Sequence, residues 1–407
     1  MRDRALRVLS ECQRIAAMTE EPGRITRRFL TPPMHAVHDL LRARMEALGM
    51  QVYVDAVGNL RGLWQPPHAN GKRLVLGSHI DTVPDAGAYD GVLGVMLAIQ
   101  WVELAQQQDL PLALEVIAFS EEEGVRFGVP FLGSRAVASR FDSALLALTD
   151  ADGITVEAAI RAFGLDPALF HDAALSADAI GFVEVHIEQG PALEAEALSL
   201  AAVTGIAGQS RFELRFTGQA NHAGTTPMHL RRDALAAAAE WIAAVESLAQ
   251  NIGGLIATVG KIIVEPNAGN VVPGAAQVSL DVRHIHDAAR VSAVNELLEQ
   301  AHAISARRGL TLECTQKLNQ VAVPMDERLT AYLADSIEAA GLPARQMPSG
   351  AGHDAMVLAS RLPTAMLFLR SPGGISHHPS ESVREEDVEA ALRVGCKFLT
   401  RLSGEFS

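Results

Sequence analysis

A chain of 407 residues is longer than one ordinary hydrophobic core organises, so two domains are expected. With 48% hydrophobic and 20% charged residues it has the makeup of a globular protein and not of a disordered one. Its formal net charge of −14, with no run of Lys or Arg, excludes partners that need a basic surface, namely nucleic acid and anionic membranes.

The first 21 residues carry apolar side chains at helical spacing and no continuous apolar block, so no signal peptide is expected. No later stretch is long and apolar enough to span a bilayer. Cys12, Cys314 and Cys396 share no metal-type spacing and read as reduced thiols of a cytoplasmic protein. An amphipathic helix is predicted over 34–48, strands over 51–57 and 60–63, and a short apolar strand over 73–78 leading into a polar turn at 79–88. A buried helix follows over 91–106, then a buried strand over 112–119 that runs into three acids, and another strand over 182–187. This alternation predicts an α/β fold with a mixed, mainly parallel sheet and helices on both faces. Ligands of such sheets bind just past the strand ends. His79, the acids 121–123 and His186 all fall at such places.

Near 205–208 the pattern changes. A strand over 210–217, a helix over 233–248, strands over 255–264 and 276–283, a helix over 288–307 and a strand over 310–316 give the β-α-β-β-α-β order of a ferredoxin-like unit. From about residue 325 the helix–strand alternation returns, ending in a helix over 385–402. The expected organisation is a catalytic domain, 1–208 with 322–407, interrupted by a smaller α+β domain over 209–321.

Five segments carry chemistry. GSHIDTVP (77–84) ends an apolar strand with His79 and Asp81 at alternate positions, on one side of the strand. A metal-bound His needs an acceptor on its other ring nitrogen, which Asp81 can supply; the plain alternative is a hydrogen-bonded turn. YDGVLGV (89–95) puts Asp90 at the start of an apolar helix, where a helix cap is the ordinary explanation. EEEGVRFG (121–128) sets three successive carboxylates that repel one another unless cations or protons compensate, against the alternative of a solvated acidic loop. VEVHIEQGP (183–191) and GGISHHPSE (373–381) add His186, His377 and His378 in turn-like contexts. Together these form a His–carboxylate set suited to Zn²⁺, Mn²⁺ or Co²⁺, with a carboxylate to spare as a base.

With ANHAGTTPM (220–228), NVVPG (270–274) and SGAGHDA (349–355), the ordered series from residue 77 to residue 381 resembles the carbamoylase and allantoate-amidohydrolase family of the aminoacylase-like dinuclear metallohydrolases. HIEQGP and GAGHDA are the forms of this branch and not of its peptidase cousins. The resemblance implies two divalent ions per subunit (Mn²⁺ or Zn²⁺, with Co²⁺ or Ni²⁺ as further options), bridged by Asp90. His79 and His186 complete one site, Glu123 and His377 the other, and Glu122 is the general base. The pattern GGISH-x-P selects His377 and leaves His378 at the variable position.

The inserted domain resembles the family's lid and dimerisation domain. That implies a homodimer in which His222 reaches the partner subunit's active site to stabilise the tetrahedral oxyanion. Asn270 and Arg283 correspond to the clamp on the substrate carboxylate, and Gln189, Gly352 and His353 to the remaining polar contacts of the pocket. The implied reaction is hydrolysis of the ureido C–N bond of a small ureido acid, with release of ammonia and carbon dioxide. Within the family, EGVRF, FLGS (131–134) and GIAGQ (205–209) are most similar to allantoate amidohydrolases, enzymes of purine catabolism. N-carbamoyl-L-amino-acid hydrolase is the second choice and β-ureidopropionase the third. A non-catalytic binding relative is the reading from another class. Against it stands Glu122, a base for which a binding module has no use.

Overall fold

The computed structural model describes residues 1–69 and 71–405. Contacts divide the chain into two compact units, Met1–Thr204 with Met325–Ser407, and Gly205–Pro324.

The first unit is built on a nine-stranded mixed sheet. Its centre is four strands: β1 (Arg73–His79), β2 (Ala113–Phe119), β3 (Ala179–Ile187) and β4 (Thr364–Leu369), in spatial order β2-β1-β3-β4 and parallel at every step. Every residue of β1, β2 and β4 is buried, as expected where both faces of a parallel sheet are covered. The antiparallel strands Gln51–Val54 and Leu60–Trp64 extend the sheet beyond β2. The first of them ends three residues before the expected 57. Asp55 Oδ1 accepts the N–H groups of Val57 (3.1 Å) and Asn59 (3.0 Å), and that side-chain turn outcompetes the ladder. Helix α1 (Val92–Gln107) follows β1 and is buried almost all round, including Trp101. Phe119 and Phe182 meet edge to face at 5.9 Å.

The second unit is a five-stranded antiparallel sheet, in the order Ile262–Glu265, Ala275–His284, Gly208–Thr217, Thr311–Gln320, with Ile256–Thr258 also on Ala275–His284. Helices Ala234–Asn251 and Asp287–Arg308 pack against it around Leu214, Phe216, Trp241, Leu280 and Leu297. Burial alternates along Ala275–His284, so one face of the strand is core. The single strand expected over 255–264 is instead two, separated at 259–261. Ser279 N–H still donates to Lys261 O (3.1 Å), so the two pieces share one neighbour across an irregular step next to Gly260. No helix among the described residues is long and apolar enough to cross a membrane.

Candidate metal centre and active site

The parallel strands deliver the chemistry. His79 is the last residue of β1, His186 the penultimate residue of β3, Glu121 to Glu123 follow β2, and His377 lies eight residues beyond β4. Asp90 is buried and does not cap α1. Gly91 takes the N-cap position with φ 67°, and a Cβ there would stand 2.5 Å from the His79 ring. The helix start is thereby pressed against β1 and the Asp90 side chain is turned toward the histidines.

Asp90 Oδ1 lies 3.2 Å from His79 Nε2 and 3.1 Å from His186 Nε2, and the two Nε2 atoms are 3.4 Å apart. Asp90 Oδ2 lies 3.3 Å from His377 Nε2, which is 3.6 Å from Glu123 Oε1. The tautomers follow from the other ring nitrogens. His79 Nδ1 donates to the carbonyl of Asp81 (3.0 Å) and His186 Nδ1 to that of Ile187 (2.9 Å). In neutral imidazoles both Nε2 atoms then carry lone pairs, so three acceptors converge with no donor among them. Protons or cations must fill that position, and the donor set of imidazole and carboxylate fits borderline divalent ions. His79, Asp90 and His186 make one such group and Asp90, Glu123 and His377 another, with Asp90 common to both. A further group, Glu184, His186 and His353, shares His186 with the first. Both Glu184 oxygens are engaged, one by Ser78 Oγ and one by Ala355 N–H, each at 2.8 Å.

Asp81 holds this site together in two ways. Its main-chain carbonyl, closer than its carboxylate at 3.4 Å, orients His79. The carboxylate accepts the N–H groups of Glu122 (3.0 Å) and Glu123 (3.1 Å), fixing the acidic segment over the strand ends. Glu122 is buried, and burial followed by the charge of Glu123 pushes its carboxyl well above the usual range. Glu121 is buried too, but its Oε1 is tied to Gly124 N–H at 2.6 Å. Gln189 sits at the centre of the cluster, with Nε2 2.8 Å from Asp90 Oδ2 and 3.3 Å from His377 Nε2, and its buried Oε1 has no partner. His353 is buried with its ring 4.5 Å from that of His186, and Nε2 meets Ser349 Oγ at 3.0 Å. Gly352 leaves room for Phe131, whose ring would stand 3.1 Å from a Cβ. His378 is exposed and accepts Ser380 N–H, outside the cluster.

The electrostatics give a pH signature. Burial and then Asp90 raise Glu123 from 4.5 to about 7, and the hydrogen bond to Asp90 raises His377 from 6.5 to about 8. Both groups bind protons more tightly folded than unfolded, so their contribution is complete at low pH and lost as pH rises through those values. Asp90 is shifted downward, so its contribution is constant across that window. In EDTA, the melting temperature should therefore fall from about pH 4.5 to about pH 8, and with Mn²⁺ it should hold, because the ions replace the protons. A gap between the two melting curves that narrows with rising pH would contradict this.

His222, Asn270 and Arg283 belong to the second unit. A two-residue ribbon pairs His222 with Val271, and Ala223 N–H donates to Asn270 O at 2.9 Å, which brings His222 and Asn270 together. Gly224 N–H donates to His222 Nδ1 at 3.1 Å, so neutral His222 carries its proton on Nε2, exposed and able to donate. Arg283 forms a fork with Asp281, Nε to Oδ1 at 2.9 Å and Nη2 to Oδ2 at 3.1 Å. Asp281 also accepts Gln209 Nε2 and Arg211 Nε. Arg283 is thus engaged in a local ion pair with Asp281.

Sequence reasoning assigned no role to Ser376 or Glu184, both now seen beside the cluster. Ser376 Oγ donates to Asp90 Oδ2 at 2.9 Å. An acid in the middle of a strand as apolar as β3 was the available signal for Glu184.

Residues 75–401 match peptidase family M20/M25/M40. The chain is 36% identical to the allantoate deiminase of Arabidopsis thaliana over 98% of this chain and 82% of that protein. It is 35% identical to the N-carbamoyl-L-amino acid amidohydrolase of Geobacillus stearothermophilus, over 91% of this chain and 92% of that one. Among solved structures, an amidase of the hydantoinase/carbamoylase family from Burkholderia multivorans superposes with a TM-score of 0.92 at 32% identity. The match covers 98% of this chain and 97% of that one.

Proposed function

The chain belongs to peptidase family M20/M25/M40, in the branch of its allantoate- and N-carbamoyl-amino-acid-hydrolysing relatives, and from that premise we propose that it hydrolyses the ureido C–N bond of a small ureido acid, allantoate first. The observation that carries the reading is Asp90, with Oδ1 toward His79 and His186 and Oδ2 toward His377. We read these residues with Glu123 as the ligands of two divalent ions, Mn²⁺ or Zn²⁺. When bound, such ions polarise the ureido carbonyl and make water acidic enough to be deprotonated near neutral pH. Glu122, buried beside them, takes the proton of the attacking water and returns it to the leaving nitrogen. The proton on Nε2 lets His222 donate to the oxyanion that develops on the carbonyl. Arg283 and Asn270 are assigned the substrate carboxylate, and Gln189, Gly352 and His353 the remaining polar contacts to the substrate. The carbamate released decomposes to ammonia and carbon dioxide.

N-carbamoyl-L-amino acids are the second reading, favoured by the near-equal identity to the Geobacillus stearothermophilus enzyme. Ammonia release by the Mn²⁺-loaded protein from allantoate, N-carbamoyl-L-amino acids and N-carbamoyl-β-alanine decides between them. Turnover of allantoate above the other two is expected, and no release from any of the three with two ions bound would sink the amidohydrolase reading.

The reading also places the protein in the cytoplasm, where Cys12, Cys314 and Cys396 stay unpaired, and makes it a homodimer through residues 210–320 with His222 serving the partner's site. Ile262–Glu265 is an edge strand, and Ile262 and Ile263 on it, like Ile256 nearby, are exposed; a second copy would cover them. Sedimentation at micromolar concentration should show a dimer. A fully active monomer would remove both the dimer and the role of His222 across it.

A further inference from the structure

The turn after His377 supplies one more buried acid to this site. Glu381 is only 6% exposed, and it reaches back across the sequence to the segment that carries Asp90. Its Oε1 accepts the N–H groups of Tyr89 (2.8 Å) and Asp90 (3.1 Å). Its Oε2 lies 3.2 Å from Ser376 Oγ, the hydroxyl that touches Asp90 Oδ2. Glu381 therefore meets Asp90 at both ends, at the backbone directly and at the carboxylate through Ser376. Filling space does not account for this side chain, because a second buried acid next to Asp90 is electrostatically adverse. Its path is kept open by Gly87: a Cβ there would stand 2.3 Å from Glu381 Cβ and 2.4 Å from Oε1.

We infer that Glu381 is a positioning residue for the bridging carboxylate, holding the 89–90 backbone and Ser376 so that Asp90 presents one oxygen toward His79 and His186 and the other toward His377. The inference rests on the two-ion reading of the centre. A metal ligand keeps its orientation only if the groups behind it are fixed, and loss of such a group typically costs about 10- to 100-fold in metal affinity. The role depends on reach and not on charge. Gln at 381 keeps the chain length and an acceptor oxygen for both N–H groups. Asp keeps the charge and is one methylene too short.

The test is Co²⁺ titration of the metal-free full-length protein, followed by calorimetry and by the visible absorption of bound Co²⁺. Wild type should bind two ions, and Glu381→Gln should match it within about 3-fold with the same spectrum. Glu381→Asp and Glu381→Ala should lose about 10- to 100-fold in affinity for at least one ion, with an altered spectrum. Gly87→Ala should weaken binding in the wild-type background, because the added Cβ would stand 2.3 Å from Glu381 Cβ and 2.4 Å from Oε1 and push that side chain out of its place. Should the Ala variant fail to fold, the Gln and Asp pair decides alone. Glu381→Asp binding like wild type overturns the positioning role, and Glu381→Gln losing one ion outright makes Glu381 a ligand instead. A wild type that binds fewer than two ions overturns the dinuclear reading itself, whereas two ions in wild type and an unchanged Glu381→Ala overturn this inference alone.

Discussion

Glu122→Gln should bind its two ions like wild type and turn over its substrate about 10²- to 10⁴-fold more slowly. The amide is the same size and keeps the main-chain N–H that donates to Asp81 Oδ1, so the acidic segment stays in place. What it loses is the ability to take a proton from water and return it to nitrogen. The loss should fall on kcat, with KM little changed, because the base acts on the transition state and not on the bound ureido acid. Ion content by mass spectrometry or atomic emission and steady-state ammonia release check the two halves separately. Near-normal turnover with both ions bound would remove Glu122 from the reaction. The base would then move to Glu121, whose Oε1 is held by Gly124 N–H while its buried Oε2 has no partner.

The second large effect is expected at Arg283. Asp281 takes Nε and Nη2, and a planar guanidinium held in this way is suited to bidentate capture of a substrate carboxylate. Burial works against charge on Asp281, but Arg283, with Arg211 and Gln209, outweighs it and holds the carboxyl below its usual range, so the pair stays charged near neutrality. Asp281 then fixes the plane of the guanidinium. Lysine keeps the charge, yet a single ammonium cannot serve two carboxylates in a fixed plane. Arg283→Lys should lower kcat/KM for ureido acids by about 10- to 100-fold, the effect of losing one hydrogen bond to a charged group. Most of it should appear in KM, and the difference between variant and wild type should vanish on a substrate whose carboxylate is replaced by an amide. An unchanged KM for every ureido acid would return Arg283 to a local ion pair, worth at most ~1 kcal/mol at this partly exposed position.

The identity of the donors was written in short, local segments. GSHIDTVP, EEEGVRFG and VEVHIEQGP each end or follow an apolar strand, and a parallel sheet must present such ends together at one edge. For the same reason the alternation of helix and strand disclosed the α/β class. Residues 51–57 and 255–264 were legible as strands but not in their length, because Asp55 turns the chain through its own side chain and the step at 259–261 is set by the neighbouring strand.

Other features exist only in three dimensions. Asp90 read most naturally as a helix cap; it faces three histidines because Gly91 lets α1 start against His79, and because the fold brings residues 79, 186 and 377 to one carboxylate. Asp81 was legible as a partner of His79, but not as the acceptor for the backbone of Glu122 and Glu123. Ser376 and Glu381 stood in a recognised segment without a role, since nothing in their own neighbourhood reveals that Tyr89 and Asp90 lie against them. Residue type and spacing along the chain decide which atoms can donate, accept or carry charge; which of those atoms share one proton or one cation is decided by distances of about 3 Å between segments, and only packing sets those.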